Sequence, residues 1–252
     1  GSMSGSERIE RVTLEGGSSS RSIDCVIRKS SRARRMNLRV DSATRATLTL
    51  PKWSPWSEGL SFLASQTSWL DRKTKKFPRI TKLSRYFSSG GLVWLDGTAR
   101  RVCWTALTKN TSSKPGCEVA GDSILFSLSG ADSLERALLD ACRLLAAEYL
   151  PPRLSALGQS HGLSWNRLRL GNQKSRWGSC SAKGTISLNW RLILLPLEVG
   201  NYVLCHELAH LRHMNHSPEF WNFLEGIAPG AKALDRRLGE LGKGIMGLAR
   251  TP

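Results

Sequence analysis

His206-Glu207-Leu208-Ala209-His210-Leu211-Arg212-His213-Met214-Asn215-His216 is the stretch around which the rest of the chain reads as a scaffold, and it holds four of the five histidines. On a helix, His206 and His210 stand one turn apart, about 6 Å along the axis and about 40° around it, so both imidazoles can reach one metal ion. Glu207 lies about 100° further round, placed to act on a metal-bound water rather than to bind the metal. Imidazole ligands with a position left open for water point to Zn2+.

A third ligand is needed. His213 shares the face of His206, but on a continuous helix it sits about 10.5 Å further along the axis, too far for Zn–N bonds of about 2.0–2.1 Å to one ion. His216 can turn back to the metal if the helix stops after Met214 and the chain reverses, with Asn215 tolerating the left-handed conformation of such a reversal. His216 is therefore the expected third ligand, with Glu219 and Glu225 as the alternatives. His213 is left to cap the helix or to support a ligand from outside. The spacing of His206, His210 and His216 equals that of the metzincins, but those proteins have Gly where His213 stands, so the likeness is one of spacing only.

The chain's 252 residues are 40% hydrophobic, enough for a packed core in one large domain or two small ones. Lys and Arg total 37 against 20 Asp and Glu, a formal charge of +17 that favours anionic partners. Up to residue 125 there are 22 basic and 10 acidic residues, and after it 15 and 10, so the excess belongs mainly to the N-terminal half. Six cysteines without a C-x-x-C pair fit reduced thiols in a cytoplasmic protein. No apolar run reaches the roughly 20 residues of a membrane helix, and the start lacks the apolar core of a signal peptide.

Residues 1–20 lack periodicity and read as a disordered tail. Residues 21–125 read as a β-rich, basic N-terminal subdomain with one helix. Alternating segments at Cys25–Arg28, Met36–Val40 and Ala46–Leu50 predict an antiparallel meander. Arg28, Lys29, Arg32, Arg34, Arg35 and Arg39 are either a solvated cluster at the sheet edge or an anion or nucleic-acid patch. A single helix is predicted over Pro55–Lys76, burying Leu60, Phe62, Leu63, Trp69 and Leu70. Three strands come next, at Leu92–Leu95, Arg101–Trp104 and Ile124–Phe126. Asp96-Gly97 turns between the first two, and Thr108–Gly121 forms a loop.

Residues 126–242 read as the catalytic domain and 243–252 as a C-terminal tail. Ser133 caps a helix expected to end before Pro151-Pro152. Strands at Leu168–Leu170 and Gly184–Trp190 flank a turn-rich segment, Asn172–Lys183. Pro196 suits the start of the helix bearing His206, Ser217-Pro218-Glu219 starts the next, and a last helix spans roughly Lys232–Leu241.

Several segments together carry a family resemblance: Asn172-Gln173-Lys174-Ser175-Arg176-Trp177-Gly178-Ser179-Cys180-Ser181, Leu188-Asn189-Trp190, Tyr202 through His210, and His216 through Trp221. With Arg32-Ala33-Arg34-Arg35 and the Phe62-Leu63 to Trp69-Leu70 region, they resemble the YgjP-like metallopeptidases, relatives of the SprT-type zincins, over roughly residues 23–241. Gly200 and Cys205 are small departures. The resemblance implies an α+β fold, with a zincin-like metallopeptidase core behind the N-terminal β-rich subdomain. It also implies a hydrolase that uses a zinc-bound water activated by Glu207, acting on a peptide or protein.

Arg176 is the candidate catalytic helper, steadying a developing oxyanion or an anionic substrate group; its alternative is a salt bridge that fixes the loop. Trp177 and Gly178 read as structural, Cys180 and Cys205 as buried thiols, and His161 as a loop histidine. Two other functions stay open: a metal-dependent hydrolase of nucleoside triphosphates, a label the family also carries, and a DNA-associated protease tethered through the basic half. The sequence leaves the oligomeric state undefined.

Overall fold

The computed structural model describes residues 7–14, 21–76, 80–107 and 116–250. It divides into two compact units, residues 1–79 and 80–252. The break thus falls well before residue 125, because the strands after residue 90 share a core with the catalytic half: Val93, Leu95, Val102, Ile124 and Phe126 belong to the same buried cluster as Leu145 and Leu204.

In the first unit, β1 (Glu7–Leu14), β2 (Arg21–Ser30), β3 (Asn37–Ser42) and β4 (Arg45–Pro51) form one sheet in the order β1-β2-β4-β3. β1 corrects the expectation of a disordered tail over 1–20 at residues 7–14, the rest of that stretch lying outside the described residues: Val12 and Leu14 are buried, and the strand pairs antiparallel with β2 from Glu7↔Arg28 to Leu14↔Arg21. The sheet is not a meander, since β2 and β4 run parallel and β3 takes the outer edge. The burial pattern gives the reason. Ala46, Leu48 and Leu50 are fully buried, and the central place suits β4 better than the edge a meander would assign it.

Two helices stand where one was expected, α1 (Trp56–Ser65) and α2 (Thr67–Lys75). Ser65 Oγ donates to the Phe62 carbonyl at 2.6 Å, and Gln66 N–H bonds back only three residues, to Leu63 O. A side chain competing for a helix carbonyl in this way bends or ends the helix. Leu63 and Leu70 face the core, while Leu60, expected among the buried positions, is exposed.

The second unit opens with α3 (Leu83–Ser88) and then β5 (Leu92–Leu95), β6 (Thr98–Trp104), β7 (Gly116–Ala120) and β8 (Ser123–Ser127), in the order β5-β6-β8-β7. Asp96 and Gly97 both have positive φ, as a two-residue hairpin between β5 and β6 requires. β7 occupies part of the expected loop over Thr108–Gly121, and positions 108–115 lie outside the described residues.

Ser133 caps α4 (Leu134–Ser160), its side chain accepting from Arg136 N–H at 3.2 Å. The helix runs straight through Pro151 and Pro152 instead of stopping before them. Each internal proline costs about 3 kcal/mol, but Leu150, Leu154 and Gly158 are buried along the continuing face, and that burial offsets the loss.

β9 (Arg167–Gly171), β10 (Gly178–Cys180) and β11 (Thr185–Asn189) form a small mixed sheet in the order β10-β11-β9, with β10 drawn from the segment read as turn-rich. A 3-10 turn (Trp190–Leu194) leads to α5 (Leu197–Ala209), α6 (Pro218–Ile227) and α7 (Ala231–Met246). The C-terminal tail expected from 243 onward is instead held in place: Met246, Leu248 and Ala249 are buried, and Leu248 O accepts from the Arg191 guanidinium. Among the described residues the fold is therefore α+β, with seven α-helices and three small sheets. None of these helices is long and apolar enough to cross a membrane.

Candidate active site

α5 is apolar on nearly every side, burying Val199, Tyr202, Val203, Leu204, Cys205, Leu208 and Ala209, so the rest of the unit fixes its position. It ends at Ala209, one turn earlier than expected, with His210 as its cap. Leu211 N–H bonds to Leu208 O and Arg212 N–H to Ala209 O, a tightened exit that turns the chain. Among the described non-glycine residues only Asp96 and Ala249 have positive φ, so the reversal does not use a left-handed Asn215. Ser217 Oγ then accepts from Phe220 N–H and starts α6.

This path brings His206, His210 and His216 into one cluster. His216 Nε2 lies 3.1 Å from both His206 Nε2 and His210 Nε2. Tetrahedral bonds of about 2.0–2.1 Å to one zinc would put such nitrogens about 3.3 Å apart, so the spacing fits a shared cation. The charge states fit as well. Burial, reinforced by the neighbouring His210 and His216, lowers His206 to about 4, and burial also lowers His210, so lone pairs rather than protons face the centre.

Tautomers are set from behind. His210 Nδ1–H donates to the His213 carbonyl at 3.0 Å, which leaves Nε2 bare. Tyr202, one turn before His206, donates its hydroxyl proton to Asp235 Oδ1 at 2.8 Å and lies 3.4 Å from His206 Nδ1. With its proton committed to Asp235, the phenol oxygen can only accept, so His206 Nδ1 is the protonated nitrogen. Phe220 is fully buried under the cluster, its ring 4.7 Å from His210, 4.9 Å from His216 and 5.0 Å from His206.

Glu207 is 6% exposed, and burial raises its carboxyl to about 7. Its neighbour is the backbone of β10: a Cβ on Gly178 would lie 2.8 Å from Glu207 Cγ and 3.0 Å from Oε1. Gly178 is thus needed for close approach rather than for an unusual φ. The preceding loop is stitched down by Asn189, whose Nδ2 donates to Gln173 O and Arg176 O, and by Asn172 Oδ1, which accepts from Trp190 Nε1 and Arg191 Nη1. Trp177 packs on Gly242, where a Cβ would come within 3.0 Å of the indole.

Arg176 lies in that loop with its side chain exposed, and among the described residues no ion pair or hydrogen bond engages its guanidinium. His213 stays outside the cluster, its ring against Phe223 at 5.7 Å. Glu225 instead accepts from Gly230 N–H and Ala231 N–H at the start of α7, and Glu219 lies in the exposed first turn of α6. Cys205 is buried with its thiol pushed up to about 11, Cys180 is raised by burial, and neither joins the histidines. His161 caps the end of α4.

Tyr202 and Phe220 fall within the segments that carry the family resemblance but were given no role there, and Asp235 and Arg191 were not singled out. Tyr202 alone left a local signal, its spacing of four residues before His206 on one helix face.

The family model described as "YgjP-like, metallopeptidase domain" matches residues 34–241. The chain belongs to the YgjP-like metallopeptidase family. The match takes in β3 and β4, the β9–β11 sheet and all three clustered histidines. Family membership makes the chain a metal-dependent hydrolase of the peptidase class, and the histidine cluster is where its described residues can hold the metal. A solved structure, the metallopeptidase zymogen of Pyrococcus abyssi abylysin, is 32% identical over 36% of this chain and 94% of its own, with a TM-score of 0.33. No curated protein matches.

Proposed function

We propose that the protein is a zinc peptidase with a zincin-like core, in which His206, His210 and His216 hold the metal and Glu207 moves the proton. The observation that carries this reading is the convergence of three imidazole nitrogens beside a buried carboxyl. Three imidazoles leave a fourth position open, which suits zinc in a hydrolase rather than in a structural role. When bound, the cation polarises the scissile carbonyl and acidifies water. Glu207 takes a proton from the attacking water and delivers it to the departing amine, its carboxyl already poised to hold a proton near neutral pH. Asp235 and Tyr202 keep His206 in one orientation throughout. Arg176, exposed in the loop before β10, would meet an oxyanion or an anionic group of the substrate. Six cysteines, all free, suit a reducing, cytoplasmic setting.

The test is a zinc titration of metal-free protein with peptide hydrolysis measured alongside. The wild type is expected to bind zinc tightly and to gain activity with it, His210→Ala and His216→Ala to lose both, and His213→Ala to keep both. Full zinc affinity in His216→Ala would contradict the ligand set.

One observation favours tethering to nucleic acid as an addition to this activity. In the first unit, Trp53 is 75% exposed and lines a cavity with Arg34 and Lys52, the pairing of stacking surface and cation that single strands use. Binding of single-stranded DNA that weakens steeply with salt and is lost in Trp53→Ala would support the tether; salt-insensitive binding would refute it.

A further inference from the structure

A cavity of about 360 Å³ opens beside the histidine cluster. His210 forms part of its wall, Leu211, Arg212 and Met214 continue it, and Trp165 and Lys183 close it from the ends of the β9–β11 sheet. Lys183 sits in the tight turn between β10 and β11. That turn is locked by Gly184 N–H to Ser181 O and by Asn166 Nδ2 to Lys183 O at 2.6 Å, with Gly184 at φ 76. Arg212 is anchored through its own N–H to Ala209 O at the end of α5. The wall thus offers two cations from rigid backbone positions, and no carboxylate lines it. Among the described residues neither cation is in an ion pair. Trp165, Leu211 and Met214 supply an apolar bed that suits the methylenes of a side chain entering between the charges.

We infer that this cavity receives an acidic residue of the peptide substrate, Asp or Glu, next to the scissile bond, with Lys183 and Arg212 holding its carboxylate. The inference rests on the peptidase reading and names the substrate class for it. A pair of cations carried on anchored backbone favours a carboxylate over a neutral isostere through charge-assisted hydrogen bonds and repels a cationic residue. The surplus of basic residues elsewhere draws acidic peptides toward the protein; the cavity is where one acidic residue is held.

Binding can be read apart from turnover with zinc-loaded Glu207→Gln protein and short fluorescein-labelled peptides alternating Ala with Glu, with Gln or with Lys. The Glu peptide is expected to bind about tenfold or more tighter than the Gln peptide, with the Lys peptide weakest. Adding Lys183→Glu and Arg212→Glu should abolish or reverse that order, whereas Arg72→Glu with Lys76→Glu, which changes net charge equally on the other unit, should leave it in place. Metal content reports folding of each variant, and Lys183→Ala with Arg212→Ala gives the same readout should the charge reversals fail to fold. Equal binding of Glu and Gln peptides would overturn the inference. So would selectivity that survives the cavity variants, or selectivity equally lost in the Arg72→Glu, Lys76→Glu pair. Cleavage by the wild type is scored separately: acidic selectivity without any cleavage sinks the peptidase reading, and cleavage without acidic selectivity sinks only the cavity's role.

Discussion

The sheets β1–β4 and β5–β8 share one topology: an antiparallel hairpin, a parallel pairing of its second strand with the fourth, and the third strand on the outer edge. The helices that succeed the two sheets differ. After β4 come two short helices, the second of which ends in Arg72, Lys73 and Lys75 and buries only Leu70, Asp71 and Thr74. After β8 comes the long α4, with Leu138, Leu139, Leu145, Leu150 and Leu154 buried along it. The first sheet therefore closes its own small cluster, from Val12 to Leu70, while the second opens into a core that runs on through α4 to α5 and Phe220. One strand plan yields a self-contained unit or the foundation of a metal site, according to how much apolar surface the next helix offers.

Substitutions in the two cores should have unequal consequences for the metal site. Leu145→Ala, in the core shared with α5, should cost about 2–5 kcal/mol of stability and visibly weaken zinc retention on heating, as followed by calorimetry with metal analysis. If zinc retention is untouched, the second core is not the foundation of the site.

Next in size is the ionisation of Glu207. Its folded pKa of about 7 lies above the usual 4.5, so ionisation opposes folding: the cost is absent below about pH 4.5, grows up to about pH 7 and is full above it. Metal-free Glu207→Gln should therefore exceed the wild type in stability by up to about 3 kcal/mol near pH 8 and match it near pH 4. His206 acts in the opposite sense, losing stability as pH falls from 6.5 toward about 4, and cancels because both proteins carry it. A difference independent of pH in denaturant titrations would show that the carboxyl is not held in the protonated range.

Tyr202→Phe and Asp235→Asn should each weaken zinc binding about 10–100-fold, measured by chelator competition, because His206 loses the partner that fixes its tautomer. The smallest expected effect belongs to the other unit: Leu70→Ala should destabilise that unit yet leave zinc affinity within about twofold, since Leu70 contributes only to the first cluster.

Local chemistry was legible in the chain. The His206–His216 spacing, the caps at Ser133 and Ser217 and the Asp96-Gly97 turn all act within a few residues, and each stands where its residue types require. Long-range choices were not. Nothing local tells β4 to slip between β2 and β3, and proline rules end a helix at Pro151 unless the burial of Leu154 is known. Asp235 and Arg191 matter through partners far along the chain, Arg191 with Leu248 and Asp235 with Tyr202, and single residues carry no periodic signal. β10 is only three residues long, and its role shows in the contact between Gly178 and Glu207.

Glu207 as the proton carrier beside a metal held by three histidines is tested by peptide turnover and zinc content in wild type and Glu207→Gln. Zinc content should be equal in the two, and turnover should fall about 10²–10⁴-fold in the variant. Undiminished turnover with equal zinc, or loss of zinc from Glu207→Gln, would contradict it.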